Sequence, residues 1–341
     1  ITLRMTDCQK QSLHIPPHRR PYGRLQWAFP QAAYIIMNRM VVSNETDPCY
    51  NLALEEELLE QAESGSTLLY LWVNRPCVVL GRNQNPYLEC DMDYIKSNGV
   101  DLVRRKSGGG AVYQDLGNLN YTFINREGEG SQAMQQQVLL GMMRPLGVDA
   151  VFSGRNDILV GGRKISGQAG YCEGGNEYLH GTLMVRVNKD HLEKSLRPSQ
   201  IKLESKGVRS VAGRVANLSE YIPDITPVQA GGLMAGQFRQ VFGPCFPVVY
   251  RDGSQGRPRQ QDTYESRDWI VDNCPEYTVS QEMRWNGGIL KLRFQVRDGT
   301  VLHAGCSSDS LTCGDIAWIR ELEGYRYDRE QIVKIIMERG K

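Results

Sequence analysis

The 341-residue chain lacks a cysteine framework and is poor in histidine. Its nine cysteines are odd in number and include no Cys-x-x-Cys pair, which argues against disulfides and favours reduced thiols. Only five histidines are present and they are scattered, so no structural zinc site is predicted. We therefore expect a cytoplasmic protein with no fixed metal site.

The chain also has no excess of positive or negative charge, and it has no long apolar run. Forty Lys and Arg residues stand against 39 Asp and Glu residues, and the net charge of +1 gives no general field for nucleic acid. No uninterrupted apolar stretch approaches the ~20 residues that a membrane span needs. We expect a soluble monomer that binds neither nucleic acid nor membrane, with about two domains.

Composition divides the chain into four segments. Residues 1–34 are basic and proline-bearing, and we expect a disordered or non-native extension with translation starting at Met37; a targeting peptide is the alternative. Helical and strand-like patterns over 35–245 predict an α/β domain. The polar stretch 246–261, with glycine and proline, predicts a linker along which a small α+β unit, 262–341, can swing.

The most informative stretch runs from Arg104 to Gly117 and reads RRKSGGGAVYQDLG. Three glycines in a row remove the Cβ atoms, so a ligand can lie against bare backbone amides. The cations before them suit an anion, most often a phosphate. We expect Arg105 to face this ligand and Lys106 to point to solvent. A charged glycine-rich loop does not by itself name an activity.

A second informative stretch, Ser153–Ala169, reads SGRNDILVGGRKISGQA. The two glycines at its centre predict the tip of a hairpin, whose ends lie side by side, so Asp157 and Lys164 can face one pocket. A lysine there can neutralise both a carboxylate and the phosphate that it attacks. A solvated lysine in a turn is the other interpretation. Further on, His180 opens a strand as either a pocket residue or a structural hydrogen-bond partner.

Together these stretches resemble the lipoate–protein ligase A family. Shorter matches flank them at Asn51–Glu56, Leu71–Trp72, Gly81–Pro86 and Glu89–Cys90. The resemblance covers about residues 37–243, and 284–311 is weakly similar to the small C-terminal domain of that family. It implies an α/β (α+β) catalytic domain like those of biotin–protein ligases and class II aminoacyl-tRNA synthetases, followed by a small α+β accessory domain.

The resemblance implies a two-step adenylation. Lipoate and ATP, with Mg²⁺, would give lipoyl-AMP and pyrophosphate, and a lysine of an acceptor domain would then take the lipoyl group. The implied acceptors are the lipoyl domains of 2-oxoacid dehydrogenase E2 subunits and the glycine cleavage H protein.

The resemblance also implies roles for particular residues. Lys164 is the implied catalytic residue. The implied contacts to ATP and lipoyl-AMP are Arg105, Gly110, Ala111, Val112, Tyr113, Asn156, Asp157 and Lys164. The implied pocket for the lipoyl tail contains Glu55, Trp72, Gln114 and His180. Trp72 taken alone is equally an ordinary core residue. Gln114 departs from the family, which often has histidine there, and this puts the tail-length preference in question.

Three alternatives share the same motifs. A transferase that uses a thioester needs a cysteine in the pocket, and the nearby thiol is Cys172, in a Gly-rich stretch (Gly170–Asn176) that predicts a flexible cover. A transferase that takes preformed lipoyl-AMP would keep nearly all the motifs. A non-catalytic binder of lipoyl adenylate could afford to lose Lys164, whereas this chain retains it.

Overall fold

We describe a computed structural model of the chain over residues 37–154, 156–197, 211–272, 276–285, 288–308 and 317–339. The predicted extension, residues 1–34, lies outside these ranges. Within them the strands are β1 Arg39–Ser43, β2 Leu68–Trp72, β3 Cys77–Leu80, β4 Asp101–Arg104, β5 Val112–Gln114, β6 Asn118–Arg126, β7 Ala150–Phe152, β8 Asp157–Val160, β9 Arg163–Glu173, β10 Asn176–Met184, β11 Val249–Arg251, β12 Tyr277–Trp285, β13 Gly288–Arg297 and β14 Thr300–Ser308.

Short and long helices connect these strands. The α-helices are α1 Pro48–Glu60, α2 Pro86–Glu89, α3 Met92–Ser97, α4 Gln132–Gly141, α5 Lys189–Ser195, α6 Val211–Arg214, α7 Pro227–Phe242, α8 Gln261–Glu265 and α9 Arg329–Arg339. Tighter turns of helix occur at Arg144–Leu146, Leu218–Glu220, Gly253–Gln255 and Ala317–Leu322, and a wider one at Asp268–Asp272. Asp47 caps α1 by accepting a hydrogen bond from the Tyr50 backbone N–H at 2.9 Å, and Pro48 occupies the first turn, where its missing N–H costs no hydrogen bond.

A mixed sheet of eight strands, in the order β11-β1-β2-β6-β10-β9-β8-β7, is the largest of the sheets that the structure describes. Successive side chains of a strand point to opposite faces. Leu71 and Phe123 therefore pack towards α4 and α7, where they meet Phe238. Tyr70 and Trp72 occupy the other face, against the apolar side of α1. This mixed α/β architecture confirms the predicted fold class.

The glycine-rich stretch connects two strands of a separate three-stranded sheet, β4-β3-β5. Strand β3 pairs in parallel with β4 and antiparallel with β5, so the segment between β4 and β5 must turn back over the end of β3. Gly109 makes that turn with φ of +94°, a conformation that side chains rarely adopt. At the end of β3, a Cβ on Gly81 would lie 2.1 Å from the Gly109 carbonyl oxygen. Close backbone contact between Gly81 and Gly109 therefore fixes the distance between the glycine loop and the end of β3.

Two segments differ from their predicted form. The Gly-rich stretch predicted as a flexible cover is instead the end of a regular hairpin, because β9 and β10 stay paired up to Glu173 and Asn176. The turn uses Gly174 and Gly175, with φ of +60° and +75°, so the many glycines serve a tight reversal. The segment 246–261, predicted as a linker, contributes β11, which pairs in parallel with β1. The predicted domain bounds remain a prediction.

The C-terminal part is a three-stranded antiparallel sheet, β12-β13-β14, covered by α9. Strand β13 buries every second side chain, since Leu290, Leu292, Phe294 and Val296 are all at most 1% exposed. Asp298 and Gly299, both with positive φ, form the turn into β14. In the described ranges, no helix has the length and apolar character to cross a membrane.

Candidate functional site

A cavity lies where the α1-facing side of the large sheet meets the glycine loop. It receives residues from all three predicted stretches, and its walls are Leu52, Trp72, Asn74, Val79, Arg105, Gly109, Gly110, Val112, Gln114, Asn120, Lys164, Gly167, Gln168, Ala169, His180, Gly181 and Thr182. The structure thus brings together predicted site residues as far apart in the chain as Trp72 and His180.

The floor of the cavity is a row of residues in register across four strands. Trp72 of β2 lies opposite Asn120 of β6, Asn120 lies opposite Thr182 of β10, and Thr182 lies opposite Gly167 of β9. Three interstrand steps of about 4.8 Å place the two ends of the row about 14 Å apart. Lys164 stands over the Gly167 end, where a Cβ would lie 2.3 Å from its Nζ atom. The cavity is therefore a groove with an ammonium at one end and an indole at the other.

Lys164 is held by a shared carboxylate. Its Nζ lies 2.8 Å from Asp157 Oδ1, and the other oxygen of Asp157 lies 2.9 Å from the Arg214 guanidinium. The hairpin with Gly161–Gly162 at its tip allows this contact, because Lys164 pairs with Leu159, which shares a face of β8 with Asp157. Burial opposes ionisation of Asp157, but the two cations outweigh it and hold the pKa of this carboxyl below its usual value. The group carries two positive charges and one negative charge.

A stability–pH prediction follows from the lowered pKa of Asp157. A carboxyl whose pKa is lower in the folded state stabilises the fold fully above its unfolded value, near 3.8, and this contribution is lost as the pH falls through the folded value. We expect the difference in free energy of unfolding between the wild type and Asp157→Asn to be constant from pH 8 to 5 and to shrink below pH 4. Urea unfolding over this range measures it, and a difference that grows in acid would contradict the ion-pair account.

Arg105 lines the cavity, but its guanidinium donates hydrogen bonds to groups of the protein itself. Its guanidinium donates to Ser107 Oγ at 3.0 Å, to the Val79 carbonyl at 3.1 Å and to the carbonyls of Gly108 and Gly110 at 2.7 and 2.9 Å. Burial lowers the pKa of this side chain to about 10, which leaves it charged at neutral pH. Arg105 thus braces the glycine loop from inside and places its positive charge at the cavity wall.

The prediction that Lys106 points to solvent is wrong. Its ammonium lies 2.6 Å from Glu56 and 2.9 Å from Glu173, and it stands over the ring of Tyr171. The Tyr264 hydroxyl donates to the other oxygen of Glu56 at 3.0 Å. These two carboxylates are distant from Lys106 in the sequence and come close to it only in the fold. They hold the lysine side chain against the protein and away from solvent. Lys106 therefore ties the glycine loop to α1 and to the hairpin.

His180 belongs to a buried chain of hydrogen bonds. Its Nδ1 lies 2.9 Å from Glu55 Oε1, its Nε2 lies 2.7 Å from Ser107 Oγ, and Thr122 donates to the same Glu55 oxygen at 2.5 Å. Glu55 is 2% exposed and sits behind His180, outside the cavity wall. Both earlier interpretations of His180 apply, because it lines the cavity and also supports the glycine loop through Ser107 and Arg105.

The other predicted residues fall on both sides of the cavity wall. Four of them line the cavity, namely Trp72, Gln114, Gly110 and Val112. Four others do not, namely Ala111, Tyr113, Asn156 and Asp157. Tyr113 points the opposite way from its strand neighbours, into a separate apolar cluster. Asn156 is exposed, and its backbone carbonyl accepts a hydrogen bond from the Gln168 N–H at 2.8 Å.

Several residues of the wall were not predicted from the sequence. Asn74, Asn120, Gln168 and Thr182 contribute polar groups to it, and Leu52 contributes an apolar one. The sequence does contain one signal for them, the alternation of side chains between the two faces of a strand. By this alternation Asn120 shares a face with Thr122, and Thr182 shares one with His180. This signal becomes useful only when the partner strands and their register are known.

Comparison with known proteins places the chain in a family. A family model described as "Lipoyl protein ligase A/B catalytic domain" matches residues 47–239, and one described as "Bacterial lipoate protein ligase C-terminus" matches residues 274–339. The chain is 36% identical over 305 residues to "Lipoate-protein ligase A" of Psychrobacter cryohalolentis, covering 86% of this chain and 90% of that protein. It is 33% identical over 304 residues to "Lipoate-protein ligase LplJ" of Bacillus subtilis, covering 86% and 91%.

Solved structures give the same result. LipL1 of P. falciparum, in complex with lipoate, has a TM-score of 0.62 and 27% identity, covering 88% of this chain and 94% of that chain. A bipartite lipoate protein ligase of Thermoplasma acidophilum, described with its E2 lipoyl domain, has a TM-score of 0.60 and 25% identity, covering 69% and 96%. These matches confirm the predicted resemblance and the prediction of an enzyme of the ligase class. The chain belongs to the lipoyl protein ligase A/B family and carries the C-terminal region of the bacterial lipoate protein ligases.

Proposed function

We propose that the protein is an ATP-dependent lipoate–protein ligase that forms lipoyl-AMP and then modifies a lysine of a lipoyl-accepting protein. The observation that carries the proposal is the position of Lys164. Its ammonium is at one end of the groove, held by Asp157 and directly above Gly167, while the opposite end is walled by Trp72. A carboxylate with a long apolar tail matches this layout, with the charged end at the lysine.

In the first step, Lys164 brings two anions together. The lipoate carboxylate and the α-phosphate of ATP repel each other in water, and an ammonium between them offsets that repulsion. A carboxylate oxygen attacks the α-phosphorus, the bond to the β-phosphate oxygen breaks, and pyrophosphate leaves with its Mg²⁺. Asp157 keeps Lys164 in place and Arg214 adds a second positive charge to the group, which suits a polyanion.

The glycine loop fits the adenylate beside this lysine. Gly109 and Gly110 present backbone without side chains to the cavity, and Arg105 places its charge behind them. The Glu55–His180–Ser107 chain and Lys106 hold the loop from two sides, so its amides need no reorganisation during the reaction. Preorganisation of this kind accounts for the many internal hydrogen bonds of Arg105.

In the second step, the amine of the acceptor lysine attacks the carbonyl carbon of lipoyl-AMP. The bond to the phosphate oxygen breaks, AMP leaves, and an amide forms with loss of a proton from the amine. Lys164, next to the carbonyl, stabilises the negative charge that develops on its oxygen. We propose as acceptors the lipoyl domains of 2-oxoacid dehydrogenase E2 subunits and the glycine cleavage H protein. The T. acidophilum ligase, described with its own E2 lipoyl domain, supports this choice.

The decisive experiment incubates the full chain with ATP, Mg²⁺, lipoate and an apo lipoyl domain. We expect pyrophosphate release and a modified domain in equal amounts, both dependent on ATP. A parallel reaction supplies synthetic lipoyl-AMP instead of ATP and lipoate. Modification only with lipoyl-AMP would establish a transferase that uses a preformed adenylate, and tight binding of lipoyl-AMP without modification would establish a non-catalytic binder.

The thioester route finds no support at Cys172. This thiol is exposed near the end of β9, it is not part of the cavity wall around Lys164, and burial together with nearby acids raises its pKa. A nucleophilic cysteine needs the opposite, a thiolate held beside the acyl group. We expect Cys172→Ser to retain ATP-dependent modification within about twofold of wild type. A large loss, together with an acyl–enzyme adduct in the mass spectrum of the wild type, would revive the thioester route.

A further inference from the structure

Strand β9 has a free edge beside the end of the groove that holds Lys164. Strand β8 pairs with β9 only as far as Asp157 and Gly167, whereas β10 continues along the other side of β9 to Glu173. In the part of the chain that the structure describes, no strand takes the place of β8 beyond that point. Residues 169–173 of β9, the free edge, are therefore open to a further strand.

The backbone groups of the free edge alternate in direction. The Gln168 N–H donates to the Asn156 carbonyl at 2.8 Å, on the side of β8. Because alternate residues of a strand present their N–H and C=O groups to the same side, those of Gly170 and Cys172 also point away from β10. Both residues are exposed, and neither has a backbone partner on that side among the described residues. The free edge thus offers N–H donors and carbonyl acceptors in strand geometry.

Nothing in the described fold protects this edge or explains its glycine. Sheet edges usually carry a charge, a proline or a bulge that discourages pairing with another chain. Residues 169–172 have no charge and no proline, and the β9–β10 register runs on without a shift. Among the described residues, a Cβ on Gly170 would meet only the Tyr178 carbonyl oxygen within 4 Å, at an ordinary 3.6 Å. Packing does not require glycine there, whereas close approach of another backbone does favour it.

A second cavity, of about 480 Å³, lies beside the free edge on the α4 side of the sheet. Leu179 of β10 lies opposite Phe123 on one side and Gly170 on the other, so Gly170 and Cys172 share this face. These two residues, Leu179 and Gln135 all contribute to the cavity wall. Every second side chain of an added strand would point into this cavity. Recognition by strand addition combines main-chain hydrogen bonds with pockets for alternate side chains in this way.

We propose that the acceptor protein docks by adding a β-strand to the free edge of β9, with alternate side chains in the second cavity and its target lysine in the turn at the end of that strand. The inference rests on the proposed function and deepens it, by naming where the partner binds and which part of the partner is recognised.

The position of the free edge explains how the lysine reaches the groove. The added strand lies end to end with β8 and must turn at Asn156, because β8 occupies the next position beside β9. Asn156 directly precedes the Asp157 that holds Lys164. Gly170 is about 10 Å along β9 from Gly167, over which Lys164 stands. A lysine in that turn is therefore brought to the end of the groove where the proposed reaction places the acyl carbonyl.

The charges around the free edge define the kind of strand that fits. The ion group around Lys164 has an excess of positive charge at the end near the groove. At the other end, burial and the carboxylates of Glu127 and Glu177 raise the pKa of the Cys172 thiol, so the surroundings there are negative. A complementary partner is a hairpin with an acidic residue beside its target lysine and a basic residue farther along the strand.

The test compares two substitutions at one position of the free edge. Cys172→Pro removes the outward N–H, which the described fold does not use, whereas Cys172→Ser keeps it and loses only the thiol. We expect kcat/KM for an apo lipoyl domain to fall about tenfold in Cys172→Pro and to stay within about twofold of wild type in Cys172→Ser. Lipoate-dependent exchange of pyrophosphate into ATP needs no acceptor and should be retained in both. Equal transfer by the two variants would overturn the proposal.

Hydrogen–deuterium exchange of the wild-type chain tests the proposal without a variant. With lipoyl-AMP and a saturating acceptor domain that lacks its target lysine, the amides of residues 170–172 should gain protection, while those of the edge strand β11 should not. No gain at 170–172 would overturn the proposal. So would the same protection on self-association without the domain, which would assign the edge to a second copy of the chain. Protection in a wild type that shows no pyrophosphate exchange contradicts only the proposed function.

Discussion

Replacing Lys164 by alanine is expected to reduce lipoate-dependent exchange of pyrophosphate into ATP by about 10³-fold, the loss typical of a preorganised donor to a developing charge. The residue provides the ammonium at the end of the groove where the proposed reaction places the lipoate carboxylate and the α-phosphate, and its removal leaves their mutual repulsion without that compensating charge. Transfer from synthetic lipoyl-AMP to an apo lipoyl domain should also slow, because the same ammonium faces the carbonyl in both steps.

Arg163→Ala is the matched control for this prediction. Arg163 is the preceding residue of the same strand and also a cation, but it pairs with Glu220 at 2.7 Å and lies outside the cavity wall. We expect its exchange rate to stay within about twofold of wild type. If the two variants lost activity equally, the effect would belong to folding of the hairpin, and circular dichroism of both variants would show it.

The Gly81→Ala variant is expected to lose about 10²-fold in activity, although position 81 makes no chemical contact in the proposed reaction. A Cβ there would lie 2.1 Å from the Gly109 carbonyl oxygen, a backbone atom that cannot swing aside like the end of a side chain. The glycine loop must shift, and it carries with it the backbone of Gly109 and Gly110 that lines the cavity. Steady-state rates with saturating ATP and lipoate measure the loss.

The Gly108→Ala variant distinguishes an effect of the position of the glycine loop from an effect of its flexibility. Gly108 lies in the same loop, has no positive φ, and a Cβ there would meet nothing within 4 Å. Its alanine variant should keep activity within a few-fold of wild type and gain slightly in stability from reduced freedom of the unfolded chain. Equal losses in Gly81→Ala and Gly108→Ala would show that mobility of the loop, and not its position, limits the rate.

Local chemistry in the sequence was sufficient for most of the fold. The glycines at the tip of the β8–β9 hairpin were recognised because glycine adopts a positive φ without steric cost. Lys164 and Asp157 were found together for the same reason, since a two-residue turn leaves one pairing of the strands. Where a backbone conformation favours only a few residue types, the sequence pattern predicts that conformation directly.

The sequence was less informative where distant residues decide the outcome. Lys106 was assigned to solvent because its partners, Glu56 and Glu173, are 50 and 67 residues away along the chain. Asn120 was overlooked because an asparagine in a strand has no distinctive pattern, and its importance comes from its register opposite Trp72. Such residues acquire their role from strand order, which loop closure and packing decide over the whole domain.

Arg104, the first cation of the glycine motif, has a consequence for how the chain can be divided. Its side chain is fully buried and donates to the carbonyls of Trp269 and Ile270, as well as to Gly81 beside the loop, while the Trp269 indole donates back to the Arg104 carbonyl at 2.8 Å. A chain truncated before residue 261 would strip acceptors from a buried guanidinium. Removal of the segment that contains Trp269 and Ile270 is therefore expected to disturb the glycine loop, because Arg104 lies directly before that loop.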